Sequence, residues 1–387
     1  MTAAPLARKE AHASVAPPVP AVRRLRLRDF RNYRSLDLAV GSGPIVLAGE
    51  NGAGKTNLLE AVSLLAPGRG LRRARLDEMD RQGGGPWQIA LRLDTREGPQ
   101  DVETRRQTES ERRDMLLDGS PLRGQGQLAE IVSLVWLTPA MDRVFVEGPS
   151  NRRRFLDRLV LAIDPSHASR VAAFERSMAE RSQLLRTGRS DPAWLGAIER
   201  RMVESGVAVA AARRTLLADL ERTLAADGEP FPRPHLAVEG ELERWLEDLP
   251  AVEVEDRFAA GLAAARGHDS HLGGASIGPH RSDLVATDAA NGEPARLCST
   301  GRQKAFLCAI VLAEARLRRQ QAGDLPILLL DEATAHLDPG RRADLFDALI
   351  ELGAQTWLSG TDAELFAPLR GHAAFYRVAQ GILTPDE

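Results

Sequence analysis

The sequence predicts an α/β fold: a head that combines a Rossmann-like core with an antiparallel β-subdomain, interrupted by an inserted helical arm. Three observations predict it. The apolar run Ile45-Val46-Leu47-Ala48 leads into a glycine-rich turn and then a helical pattern. A second apolar run, Ile327-Leu328-Leu329-Leu330, lies near the far end of the chain and closes on two acidic residues. Between them, from about Arg152 to Arg266, the texture shifts to Ala, Arg, Glu and Leu, with apolar residues at helical spacing.

Each element follows from its own pattern. Leu25, Leu27, Phe30, Leu36 and Leu38 alternate loosely through Arg23–Val40 and predict a strand pair turning at Asn32-Tyr33. A buried helix is expected from about Lys55 to Leu65, because it is apolar on most faces. Ile89–Leu93, Val102–Arg105 and Met115–Leu117 read as antiparallel strands, with Asp118-Gly119 as a hairpin turn. Val132–Leu137 reads as a buried strand. One long helix runs from Trp194 to Ala226, where Ile198, Met202, Val203 and Val207 suit packing on other helices. The α/β texture returns with a strand at Leu284–Thr287, a helix at Arg302–Arg319, a strand at Ile327–Leu330, a helix at Arg341–Leu352 and a strand at Thr356–Leu358. The expected divisions are a disordered tail over 1–22, a first head segment over 23–150, the arm over 151–269 and a second head segment over 270–387.

Composition narrows the function classes. The chain has 387 residues, 43% hydrophobic and 27% charged, the profile of a globular protein. No apolar run is long enough to span a bilayer, and the N-terminus lacks a signal pattern, so a cytoplasmic location is expected. The two cysteines, Cys298 and Cys308, read as core thiols. No Cys/His set has zinc spacing. A net charge of −3 gives no general pull toward nucleic acid, so DNA binding would need a local basic surface. Only three of the 51 basic residues are lysines: Lys9, Lys55 and Lys304. A lysine in so arginine-rich a chain marks a place that resisted arginine.

Gly49-Glu50-Asn51-Gly52-Ala53-Gly54-Lys55-Thr56 matches the phosphate-binding pattern G-x-x-x-x-G-K-S/T at every fixed position. Its glycines let backbone N–H groups approach phosphate oxygens. Lys55 would reach the β- and γ-phosphates of ATP as a compact point charge, a task ill suited to a broad guanidinium. The Thr56 hydroxyl would ligate Mg²⁺, and the following helix would point its positive end at the anion. Downstream, Asp331 would hold Mg²⁺ and Glu332 would act as general base on the attacking water. Neighbours on a strand point to opposite faces, so two separate roles are expected of this pair.

With these motifs in place, Cys298-Ser299-Thr300-Gly301-Arg302-Gln303-Lys304 resembles the signature turn of ABC-type ATPases, and Ala335-His336-Leu337-Asp338 resembles their D-loop. The resemblance implies that Ser299 and Gly301 bind the γ-phosphate held by a second subunit. It also places Asp338 at the nucleotide. Within that superfamily the chain resembles the RecF family. The segments that carry this are Leu27-Arg28-Asp29-Phe30-Arg31-Asn32-Tyr33, Val135-Trp136-Leu137-Thr138-Pro139, Gly148 to Asp157, and Gly278-Pro279-His280-Arg281-Ser282-Asp283-Leu284, within a match from about Arg23 to Ile382. RecF resemblance implies that Arg31 and Asn32 lie near the nucleotide. It implies a weak ATPase used as a switch, an ATP-dependent homodimer, and binding to gapped or junction DNA. The implied partners are RecR and RecO, with RecA loading and the SOS response downstream.

Departures from the pattern are Arg302, where the family usually has Gln or Glu, the lack of a clear Q-loop glutamine near Thr138-Pro139, and Ser359-Gly360-Thr361 in place of a switch histidine. His280 reads as a turn-stabilising residue. The basic clusters Arg72-Arg73-Arg75, Arg105-Arg106, Arg112-Arg113 and Arg152-Arg153-Arg154 read first as ion-pair networks or solvated faces, and second as DNA contacts. With 4% aromatic residues, backbone contacts to duplex or junction DNA fit better than base stacking. The rival readings are a transporter ATPase subunit and an SMC-like DNA-bridging protein. The compact arm and the late signature, 244 positions beyond Lys55 (299 − 55), count against the first, and the absence of sustained heptads against the second. The nuclease module of OLD-type defence ATPases is not expected.

Overall fold

The computed structural model describes residues 20–108, 112–122, 124, 126–188, 191–226 and 231–386. Residues 1–19 of the expected tail lie outside these. Ala21 and Val22 are no tail but the start of the first strand, fixed there by a hydrogen bond from the Val22 N–H to Gln355 Oε1 at 2.8 Å.

The first segment contains β1 (Ala21–Phe30), β2 (Tyr33–Ala39), β3 (Ile45–Ala48), α1 (Lys55–Ser63), β4 (Gln88–Thr95), β5 (Gly98–Arg106), β6 (Arg113–Leu117), β7 (Ser120–Pro121), α2 (Gly126–Ile131) and β8 (Leu134–Leu137). Then come α3 (Pro149–Ile163), α4 (His167–Thr187), α5 (Pro192–Ala226), β9 (Pro234–Glu239), α6 (Glu241–Asp248) and α7 (Ala251–Leu272). The chain returns through β10 (Asp283–Asp288), α8 (Thr300–Ala322), β11 (Ile327–Asp331), α9 (Pro339–Leu352), β12 (Thr356–Gly360), β13 (Ala374–Ala379) and β14 (Ile382–Pro385).

Two six-stranded sheets make the head. One is antiparallel in the order β2-β1-β4-β5-β6-β7 and buries Leu25, Leu27, Ile89, Leu91 and Val102 on its inner side. The other has the order β14-β13-β3-β12-β11-β8 and is parallel except for the last hairpin, β13–β14. Its central strands are apolar on both faces, as parallel strands covered by helices must be. The Gln355 amide joins the sheets: it is fully buried, accepts from Val22 N–H, and donates to the carbonyls of Val22 and Gly41 at 2.8 and 2.7 Å.

The middle of the chain has a small core of its own, formed by Phe174, Met202, Val203, Val207, Val254, Phe258 and Leu262. The C-terminal half of α5 does not belong to it. Leu216, Leu217, Leu220 and Leu224 pack into the main head core. This stretch is also not wholly helical: β9 pairs antiparallel with β10. The alternation at Pro234 and Leu236 is too short to stand out from the helical texture around it. His280 stabilises a turn, as expected, with Nε2 2.9 Å from the Ala275 carbonyl and its ring against Phe174. No helix among the described residues is long and apolar enough to cross a membrane.

A buried ion network pins the helices of this middle part. The Arg181 guanidinium donates to Glu199 at 2.9 Å, to Asp269 at 2.7 Å and to the Leu262 carbonyl at 2.7 Å. Asp269 is completely buried. Removing only the cation would strand a buried carboxylate, which typically costs about 3–5 kcal/mol. Arg181→Met is therefore expected to lower unfolding stability by that order in urea, and Arg181→Met/Asp269→Leu to recover much of the loss. A single variant as stable as the parent would show that the network contributes nothing.

Candidate active site

The parallel sheet sets the site at the C-terminal ends of its strands, where open α/β sheets place their ligands. β3 ends at Ala48 and hands the chain to the loop Gly49–Thr56. Gly49, Gly52 and Gly54 take φ values of 157°, 81° and 120°. Space matters as much as torsion: a Cβ on Gly49 would lie 2.2 Å from the Val378 carbonyl oxygen. One on Gly54 would lie 2.6 Å from Asn32 Nδ2 and 2.7 Å from the Tyr33 hydroxyl. The loop is thus walled by the β1–β2 turn on one side and the β13–β14 hairpin on the other. Asn32 Nδ2 and the Gly381 N–H both donate to the Ala53 carbonyl, at 2.9 and 3.0 Å, and the Tyr33 hydroxyl donates to the Gly54 carbonyl at 3.1 Å.

Lys55 is 4% exposed, and its ammonium donates to the carbonyls of Gly49 at 2.6 Å and Glu50 at 2.8 Å. Burial lowers its pKa, while the charges of Glu332 and Asp331 work in the other direction. The two carbonyls occupy the lysine as phosphate oxygens would. No side chain caps the N-terminus of α1, so its first N–H groups are available to an anion. Glu50, Asn51 and Gly52 form the exposed lip of the loop.

Strand register brings the acid pair to the same place. β11 lies beside β12 with Asp331 opposite Ser359, and β12 lies beside β3. Asp331 Oδ1 accepts from the Thr56 hydroxyl at 2.9 Å and from the Ser359 hydroxyl at 2.6 Å. Residues 56, 331 and 359 therefore share one oxygen. The described residues contain no cluster of three or more His, Cys, Asp or Glu side chains that could cage a metal. A hydroxyl and a carboxylate fit Mg²⁺, which keeps water and substrate phosphates as its other ligands.

Strand alternation does not separate the two acids. β11 stops at Asp331, and Glu332 turns out of it with φ 50°, its N–H held by Ser359 Oγ at 3.0 Å. The turn, and not the pleat, is what separates the two carboxylates. The Glu332 carboxylate takes no hydrogen bond among the described residues, which leaves it able to accept a proton from water.

The remaining residues divide. Asn32 reaches the loop, as above. Arg31 does not offer a free fork: it is bidentate to the buried carboxylate of Glu60 on α1, at 2.8 and 2.7 Å, and donates to the Glu78 carbonyl at 2.7 Å. It positions the loop's helix. Ser299 is the exposed N-cap of α8, its Oγ accepting from the Arg302 N–H at 3.4 Å. Gly301 passes so near the D-loop that a Cβ would lie 2.9 Å from the His336 carbonyl. Neither Ser299 nor Gly301 hydrogen-bonds the phosphate loop of its own chain among the described residues. Asp338 caps α9 through the Arg341 N–H at 2.9 Å. Arg302 pairs with buried Asp288 of β10, which accounts for an arginine at that signature position. Lys304 is buried and bound to Asp142 at 2.6 Å, just after β8.

Ser359, Tyr33 and the last hairpin are parts of the site that motif reading passed over. Ser359 stood in a segment read only for its missing histidine. A small hydroxyl at the end of an apolar strand was the available signal.

The chain is similar throughout to characterised proteins. The profile of the RecF/RecN/SMC N terminal domain family matches residues 21–382. The "DNA replication and repair protein RecF" of Mesorhizobium japonicum is 47% identical over 95% of this chain and 98% of its own length. The protein of the same name from Brucella suis is 44% identical over 96% of this chain and 98% of its own. In fold the chain matches the structure of the recombination mediator protein RecF-ATPrS in the RecFOR pathway, with TM-score 0.84 at 20% identity over 96% of this chain and all of that one. It matches an Smc head domain from Pyrococcus furiosus less closely, with TM-score 0.53 at 15% identity. The chain belongs to the RecF family of SMC-like ABC ATPases.

Proposed function

We propose that this chain is an ATP-dependent DNA-binding recombination mediator that dimerises on ATP, holds gapped or junction DNA, and hydrolyses ATP slowly as a switch. One observation carries the dimer: Ser299 and the N-terminus of α8 form an exposed turn that makes no hydrogen bond to the chain's own phosphate loop among the described residues. A second copy, facing the first, would supply the γ-phosphate to bind. The replication-and-repair names of the relatives, and the place of the similar RecF structure in the RecFOR pathway, support a role in DNA repair with RecR and RecO, RecA loading as the outcome, and action in the cytoplasm. In domain terms, residues 21–150 and 270–386 make the head and 151–269 the arm, with α3, the end of α5 and β9 packed into the head core.

The chain's own groups have distinct tasks. Lys55 leaves the carbonyls of Gly49 and Glu50 for β- and γ-phosphate oxygens. The open N-terminus of α1 stabilises the same charge. Thr56 and Asp331 would hold Mg²⁺, which supplies charge neutralisation between the phosphates. Glu332 takes the proton of the attacking water. Its left-handed backbone fixes where the carboxylate starts. Asp338 and the signature turn lie side by side through the Gly301–His336 contact, so both would meet the partner's nucleotide together.

Lys55→Met is expected to abolish ATP-dependent dimerisation in analytical ultracentrifugation. Dimerisation at the parental level would place the phosphates elsewhere. Glu332→Gln should keep ATP binding, lose at least about a hundredfold in turnover as expected for a lost general base, and accumulate as an ATP-bound dimer on DNA; unchanged hydrolysis would move the base to another residue. Ser299→Arg should separate two readouts, leaving monomer affinity for ATP near normal while no dimer forms. Retention of both would sink the face-to-face arrangement.

A further inference from the structure

The arginine clusters most visible in the sequence are largely spent on the protein itself. Arg72 bonds Asn57 and Glu60, Arg106 pairs with Asp80 and Arg105 with Asp114. Arg113 is half-buried and donates to the carbonyls of Leu64 and Ala66. Arg152 pairs with Asp283, Arg153 donates to the Ser282 carbonyl and Arg154 to Asn151. In these clusters, only the guanidinium groups of Arg73 and Arg112 have no hydrogen-bond or ion-pair partner among the described residues.

A different basic surface lies on the β1–β2 hairpin. A cleft of about 680 Å³ opens between that hairpin and the loop Gly83-Gly84-Gly85. Arg26, Arg28, Arg34 and Arg81 line it, with Asp29 and Asp37. Both carboxylates are already engaged. Asp37 is bidentate to Arg24, at 2.6 Å for each contact. Asp29 accepts from Arg81 at 2.8 Å, and that hydrogen bond holds its pKa low. Arg26, Arg28 and Arg34 are exposed, and their side chains have no hydrogen bond or ion pair among the described residues. The cleft therefore keeps three guanidinium groups without a hydrogen-bond or ion-pair partner among the described residues, although Arg26 and Arg28 are close enough to Asp37 and Asp29 to help lower those carboxyl pKa values.

The cleft is built rather than incidental. Asp29 and Arg31 adopt φ 47° and 55°, and the Arg81 N–H donates to the Asp29 carbonyl at 2.8 Å. A Cβ on Gly84 would lie 2.6 Å from Asp29 Oδ1, so a side chain there would have to displace the Asp29 carboxylate that Arg81 holds. Arg26 and Arg28 lie two residues apart on an extended strand, about 6.7 Å along it. Such a row matches a polyanion better than a single small anion.

We infer that this cleft is a phosphate-backbone contact for duplex DNA, with Arg26, Arg28 and Arg34 as its phosphate ligands. The inference rests on the proposed DNA-binding role and adds the surface that performs it. The hairpin that carries these arginines also carries Asn32, which grips the phosphate loop. DNA and nucleotide would thus bear on one element.

The test uses the full chain with ATP and fluorescein-labelled duplex, with anisotropy read across a salt series. For three lost phosphate contacts per protomer, Arg26→Gln/Arg28→Gln/Arg34→Gln should lower the slope of log affinity against log salt by about 2.7 for each protomer engaged, about 5 for an ATP-bound dimer with both clefts on the duplex. ATP affinity should stay at the parental value. Arg26→Lys/Arg28→Lys/Arg34→Lys should restore most of the slope, because a phosphate accepts either cation; failure of the lysine variant to restore it would count against direct contact. A parent that binds duplex while the glutamine variant keeps its slope would overturn the cleft assignment alone. No DNA binding by the parent would overturn the DNA-binding role itself. Loss of labelled polyglutamate binding, with DNA binding intact, would assign the cleft to an acidic protein and overturn the inference.

Discussion

The parallel pairing of β3 with β12 and of β12 with β11 is the constraint on which this site depends. It places Ala48, Ser359 and Asp331 at adjacent strand ends although the first is encoded near one end of the chain and the others near the opposite end. Thr56, Ser359 and Asp331 then converge on a single carboxylate oxygen. A shift of one residue in either ladder would exchange the inward and outward sides of a strand and separate the three groups. Both faces of these strands are apolar and buried, so polar alternation does not set the register; close packing of particular side chains against the flanking helices is what resists a shift. The geometry of the candidate site is thus a by-product of how the core packs.

Much of this was legible in the sequence because the motifs combine chemistry with periodicity. Gly49–Thr56 sits between an apolar run and a helix, and each of its fixed residues has a separate physical task. The Asp331–Glu332 pair is legible in the same way, although its two carboxylates are separated not by alternation along a strand but by a left-handed turn at Glu332. β9 escaped notice because six residues in a helical neighbourhood leave too little alternation to detect. The last hairpin escaped because it matters through its backbone, the Val378 carbonyl and the Gly381 N–H, and backbone contacts leave little trace in side-chain patterns.

Ion pairing posed the opposite difficulty. Clusters of consecutive arginines stand out in a sequence, yet here most are consumed by carboxylates, carbonyls and amides of the chain itself. The arginines left unpaired among the described residues of the cleft lie at alternate positions of a strand and in its partner, where nothing marks them as a group. Lys304 illustrates the same point inside the core. A buried ammonium bonded to Asp142 ties the signature helix to the segment after β8. A compact cation fits that enclosed space better than a planar guanidinium.

The close contact of Gly49 with Val378 has a genetic consequence. The wall of the phosphate loop is encoded 329 codons (378 − 49) downstream of the loop itself. Nonsense or frameshift alleles that remove β13 and β14 would leave the motif and both acids intact but expose the Gly49 backbone and free the Ala53 carbonyl from Gly381. Such alleles would behave as nucleotide-site lesions. A screen for ATP-defective mutants would recover them far from any recognised motif.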